Sequence, residues 1–144
     1  MTVTTARPTG APGYSETLPS RPQSVATARR LVRTALATWR LEELSEGATL
    51  VVSELVTNAV QHSSSRSIRV TVSRAGPASV RVGVVDKSKG RPVLGAPPSR
   101  SWGSKADDDD ESGRGLVLVE ALAHSWGTDP LPWGKRVWAE LTAS

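Results

Sequence analysis

Ser53-Glu54-Leu55-Val56-Thr57-Asn58-Ala59-Val60-Gln61-His62 sets an acid and an amide four residues apart inside an otherwise apolar run. Residues at that spacing lie one turn apart on the same helix face, and His62 follows one turn further along. A soluble helix must show some polar stripe to water, and these side chains could be that stripe. Against this, Val51, Val52, Leu55, Val56, Ala59 and Val60 cover most of the circumference and leave only a narrow polar strip. Asparagine is also a poor helix former to place where it is merely exposed. The chemical alternative is a carboxylate that polarises a hydroxyl or a water, next to an amide oxygen that offers a neutral ligand to a phosphate-bound magnesium ion.

Outward from this stretch, the periodicity sets the architecture. Between Ser24 and Arg40 apolar residues recur at Val25, Ala28, Val32, Ala35, Leu36 and Trp39, the spacing of a helix with one buried face, with Arg29, Arg30 and Arg33 largely away from it. Gly47 to His62 has no proline and no interior glycine, which predicts a second helix. The period then changes to two: Ile68, Val70 and Val72 precede Val80, Val82 and Val84, with a turn at Ala75-Gly76-Pro77, which reads as a hairpin. The stretch from Asp86 to Ser112 is rich in glycine, proline, serine and charge and long enough to be a functional loop or lid. Gly113-Arg114-Gly115 opens a third apolar-periodic helix through Leu116, Val119 and Leu122. Val137, Ala139 and Leu141 alternate in a closing strand, and Trp126 marks another whose extent Pro130 and Pro132 obscure. Helices, hairpin, lid, helix and strands in that order predict an α+β, two-layer α/β sandwich, its sheet mixed and mostly antiparallel with helices on one face.

The chain of 144 residues suits one folded unit, read as residues 22–144 behind a disordered tail over residues 1–21, where Thr, Pro, Gly and Ala give little to bury. A domain of this size buries roughly 70% of the surface its unfolded chain exposes, so it needs no covalent staple. There is no cysteine, which excludes disulfides, thiolate metal sites and cysteine nucleophiles. The longest apolar runs are interrupted by Glu54, Asn58 and Glu120, so neither is a membrane span, and the reading is of a cytoplasmic protein. A net charge of +4 admits nucleic acid, but the arginines are scattered with few aromatics between them, so direct nucleic-acid contact is not expected.

Two further positions carry chemistry. Asp86 ends an apolar strand; it either caps a turn or, rooted among apolar residues, accepts a hydrogen bond from an exocyclic amine, with Gly90 letting the backbone turn beyond it. Gly113-Arg114-Gly115-Leu116 is either a hinge and helix start or a phosphate site made by unpaired helix N-terminal amides, with Arg114 adding charge. No GxxxxGK[ST] run exists, which excludes a P-loop.

In order and separation these pieces resemble the GHKL ATPase superfamily, to which histidine kinases and type II topoisomerases belong. The closer likeness is to its small anti-sigma factor serine/threonine kinase branch of actinobacterial type. The N box ExxxNAxxH runs from Glu54 to His62, the first glycine box begins at Asp86, the second is Gly113 to Leu116, and the last strand segment is Gly134-Lys135-Arg136-Val137-Trp138. The likeness spans roughly Arg21 to Leu141. It implies a Bergerat-type ATP-binding fold, ATP and Mg²⁺ as cofactors, and partners consisting of a sigma factor and a STAS-domain anti-anti-sigma protein, with homodimerisation an expectation from the family. By the same resemblance Glu54 is the general base, Asn58 the Mg²⁺ ligand, Asp86 the acceptor for the adenine amine, and Gly113, Arg114, Gly115 and Leu116 lie by the phosphates. His62 and Gly90 lie close to the nucleotide. The implied activity is a protein serine kinase acting on the STAS partner; the alternative is an ATP-binding partner switch without phosphoryl transfer. Ser88 stands where the first glycine box usually has glycine, and Arg136 where the last often has threonine. The acidic run Asp107-Asp108-Asp109-Asp110-Glu111 is read as a solvated lid tip.

Overall fold

The alternating valines build the centre of the structure. In the computed structural model, which describes residues 13–62, 65–87 and 111–143 and only the backbone over 111–116, β2 (Ser67–Gly76) and β3 (Ser79–Asp86) form an antiparallel hairpin. Val70 lies opposite Val84 and Val72 opposite Val82. Because strand side chains alternate, this register puts Ile68, Val70, Val72, Val80, Val82 and Val84 on one buried face. β5 (Gly134–Thr142) pairs with β3 and adds Val137, Ala139 and Leu141 to that face. β4 (Ser125–Leu131) pairs with β5 at the sheet margin. Pro130 therefore stands inside a strand, where an edge position tolerates a missing N–H, and Pro132 falls in the turn to β5.

The other margin corrects the expected tail. Residues Gly13–Pro19 form β1, paired antiparallel with β2 in a sheet of order β1-β2-β3-β5-β4. Tyr14, Glu16 and Leu18 lie opposite Val72, Val70 and Ile68 and so share their face, but only Leu18 is strongly apolar. The strand thus rests on its ladder to β2, a partner distant in sequence that no local pattern announces. Residues 1–12 of the expected tail lie outside the described residues.

Helices cover the valine face. α1 (Ser24–Thr38) buries Ala28, Leu31, Val32, Ala35 and Leu36 and packs over β1 and β2. It stops short of the expected Arg40. The N–H of Arg40 donates to the carbonyl of Ala37 and that of Leu41 to the carbonyl of Leu36, while Arg40 adopts φ 58°. This is the Schellman pattern, with an arginine where glycine is usual. α2 (Ser45–His62) is the central helix, packed between α1 and α3 (Glu111–Leu122) and above β3 and β5. Neighbours on so many sides explain its nearly continuous apolar circumference. Thr49 and Ser53 are also buried there, and each donates its hydroxyl to a carbonyl one turn back, at 2.8 Å to Ser45 and 2.7 Å to Thr49. α3 starts two residues before the expected Gly113, and its Val119 is fully buried.

The result is a five-stranded sheet with the helices on one face, as the sequence predicts, but the sheet expected to be mixed and mostly antiparallel is antiparallel in every pairing between described strands. The opposite face is polar. Arg81 stacks 4.2 Å from the centroid of the Trp138 ring and reaches Glu140 at 3.1 Å. Trp138 lies across Gly127, where an added β-carbon would sit 3.0 Å from the ring.

Candidate functional site

The polar strip of α2 is only half given to solvent. Glu54 and Asn58 are half-buried on successive turns, whereas His62, the last residue of the helix, is exposed. Burial pushes the Glu54 carboxyl above the ordinary glutamate value, because fewer waters remain to solvate its charge. A carboxyl moved towards neutrality is better matched to taking a proton at physiological pH than a fully solvated one.

Asp86 ends β3 on the helix-facing side of the sheet and is 2% exposed. A charge so deep requires a partner. The β3–β5 register sets Lys135 directly opposite, and its Nζ lies 3.9 Å from Asp86 Oδ2 with both side chains almost fully buried. Burial lowers the Lys135 pKa, and the neighbouring Asp86 charge partly opposes that shift. Lys135 is the residue that sequence reasoning missed. Its signal was nonetheless present: it precedes Val137, Ala139 and Leu141 by even steps, so the alternation that buries them buries Lys135 too. Gly134 makes the approach possible, since a β-carbon there would overlap the carbonyl of Asp86 and come within 2.8 Å of the Lys87 Cα.

Gly113, Arg114, Gly115 and Leu116 lie in the first turns of α3, whose helical backbone carries amides pointing out of its N-terminal end. Because α2 packs against both β3 and α3, the fold brings the helix of Glu54 and Asn58 beside the strand that ends in Asp86 and the helix that carries the two glycines. Gly90, Ser88 and Asp107 to Asp110 lie outside the described residues, and Glu111 is the first residue of α3. Arg136 is resolved: it stands on the open face, paired with Asp129 at 3.1 Å, with both side chains over two-fifths exposed. It points away from the helices and from Asp86.

Among the described residues, no group of three or more His, Asp or Glu side chains is placed to hold a metal ion. The donor set of α2, one amide and one half-buried carboxyl, instead fits a magnesium ion that takes most of its ligands from phosphate oxygens and water. Asp86 fits an amine donor, being a buried carboxylate at a strand end. No described helix is long and apolar enough to cross a membrane.

Comparison with known proteins bears on the family and the fold. The sequence profile of the histidine kinase-like ATPase domain matches residues 18–139. A search of curated proteins gives no match. Among solved structures, the histidine kinase domain from the Erythrobacter litoralis EL346 blue-light activated histidine kinase superposes with a TM-score of 0.51 at 21% identity. The match covers 86% of this chain and 61% of that one, so the chain spans less than two thirds of the kinase domain's length. At this identity the likeness is one of fold.

Proposed function

This chain belongs to the histidine kinase-like ATPase domain family, within the GHKL superfamily of ATP-binding domains, and from that premise we propose that it is an anti-sigma regulatory factor with Mg²⁺-dependent protein serine kinase activity toward a STAS anti-anti-sigma partner. The observation that carries this reading is Glu54: a half-buried carboxyl, held above its ordinary pKa by burial, one turn from Asn58 on the helix that packs against both β3 and α3.

In the proposed reaction Glu54 takes the proton of the acceptor serine hydroxyl as that oxygen bonds to the terminal phosphorus of ATP. ADP leaves with the electron pair of the broken bridging bond. Asn58 would hold Mg²⁺ through its amide oxygen, and the ion would supply neutralisation of phosphate charge. Asp86 accepts from the adenine amine, and the N-terminal amides of α3 face the phosphates. His62 stands at the exposed end of α2.

Radiolabelled ATP incubated with candidate STAS proteins tests the reading. Label should pass to a serine of the partner, and Glu54→Ala should abolish transfer while nucleotide binding persists. Undiminished transfer by that variant removes Glu54 from the reaction. ATP binding without any labelled partner instead favours a switch in which nucleotide sets partner choice and no phosphoryl group moves.

A further inference from the structure

α1 carries no acidic residue over its 15 positions, yet it gathers three arginines on one flank. Arg30 and Arg33 are exposed and Arg29 is half-buried, whereas the flank bearing Thr27, Thr34 and Thr38 is neutral. Arg29 and Arg33 stand four residues apart and Arg30 and Arg33 three apart, the spacings at which like charges repel along a helix. Nothing in the fold relieves this: among the described residues, none of the three guanidinium groups makes an ion pair or a hydrogen bond. Within the chain the arrangement only costs helix stability. The same three side chains line a groove of about 540 Å³ at the start of α1, together with Pro22, Val25 and Ala26. Three cations without a counter-charge therefore border a strip of small apolar surface.

We propose that this groove docks an acidic segment of a partner protein, with carboxylates on Arg29, Arg30 and Arg33 and an aliphatic side chain over Pro22, Val25 and Ala26. Charge complementarity supplies the sign of the partner, and the planar guanidinium fork matches a carboxylate with two parallel hydrogen bonds. The apolar strip favours a polypeptide over a bare polyanion, which would leave that surface wet. Single-stranded nucleic acid is a poorer match, because the groove offers no aromatic ring on which a base could stack. The inference goes beyond the nucleotide reading and does not depend on it, since the groove is built on α1 and Glu54 and Asn58 stand on α2.

Fluorescence anisotropy with a labelled glutamate-rich peptide bearing a few leucines tests the proposal. Two further probes are the same peptide with serine for leucine, and oligothymidylate. The wild-type chain should bind the leucine peptide most tightly. Arg30→Gln/Arg33→Gln should weaken that binding by about three- to thirtyfold, the loss of two exposed charge pairs, while the thermal midpoint holds or rises as the repulsion is relieved. Arg40→Gln/Arg66→Gln removes the same charge away from the groove and, at physiological salt, should change binding by less than about twofold. Equal losses in the two double variants would mean that net charge alone attracts the peptide, and would overturn the groove. Failure of the leucine peptide to bind even at low salt overturns it as well. Binding of the serine peptide or of oligothymidylate as tight as that of the leucine peptide overturns the choice of an acidic, aliphatic protein segment as the occupant.

Discussion

Gly134 passes so close to Asp86 that a β-carbon on the glycine would occupy the space of the aspartate carbonyl oxygen. The contact is between backbones at the start of β5, next to the turn from β4, where neither strand can yield without disturbing the ladder. Gly134→Ala should therefore destabilise the fold by about 1–3 kcal/mol, the range for forcing atoms into filled space. Urea midpoints measure it. Because the displaced group is Asp86, nucleotide affinity should fall in the same variant, and an alanine variant with both properties intact contradicts the close approach.

The Asp86–Lys135 pair should show strong coupling. Removing one partner of a buried ion pair strands the other, at about 3–5 kcal/mol, whereas replacing both removes the need for either. Asp86→Asn and Lys135→Met singly should each be markedly less stable than wild type, with the double variant recovering a large part of the loss. Additive losses across the double-mutant cycle would show that the two side chains do not interact.

Glu54 carries a pH signature. Its carboxyl holds a proton more tightly in the folded chain than in the unfolded one, so its favourable contribution is complete below the ordinary value of 4.5 and is lost as pH rises through the folded value. Glu54→Gln removes that slope, and its stability relative to wild type should grow as the pH is raised from about 4 towards neutrality. Denaturation midpoints across this window check the sign. On the proposed kinase reading, the same substitution should slow phosphoryl transfer by about 10²- to 10⁴-fold, the usual contribution of a general base.

Arg136 and Asp129 pair on the open face with both side chains well exposed. Arg136→Ala should change stability by less than about 1 kcal/mol, since solvent and salt screen such pairs. Nucleotide affinity should be unaffected, because the side chain lies on the sheet face opposite the helices. A large loss of affinity on calorimetry would mean that Arg136 reaches the ligand.

Arg40 ends α1 in the left-handed region at φ 58°. A side chain there costs roughly 1–2 kcal/mol that glycine avoids, partly offset by the greater freedom of glycine in the unfolded chain. Arg40→Gly should raise stability by on the order of 1 kcal/mol, visible as a higher thermal midpoint. A lower midpoint would show that the arginine side chain makes contacts worth more than the backbone strain.

Much of this protein is written locally. The heptad-like recurrence from Ala28 to Leu36, the apolar circumference of residues 51–60 and the alternating valines of β2, β3 and β5 each fix an element from its own residues, since helix and strand periods depend only on backbone geometry. The strip of Glu54 and Asn58 was legible for the same reason. β1 was not, because a strand whose inward residues are Tyr14, Glu16 and Leu18 exists by pairing with β2, a partner about fifty residues away. The end of α1 at Thr38 was likewise hidden, since Arg40 performs a turn for which sequence rules look to glycine.

By itself, then, the sequence determined the kinds and order of the elements after β1, a mostly antiparallel sandwich and the family whose boxes the chain carries. Only the tertiary structure decided that Lys135 meets Asp86 across the ladder and that Arg136, its immediate neighbour, meets Asp129 on the open face. The reason is register: alternation along β5 assigns Lys135 and Arg136 to opposite faces, but the residue each one meets depends on how β5 aligns with β3 and β4, a choice made by contacts across the whole sheet.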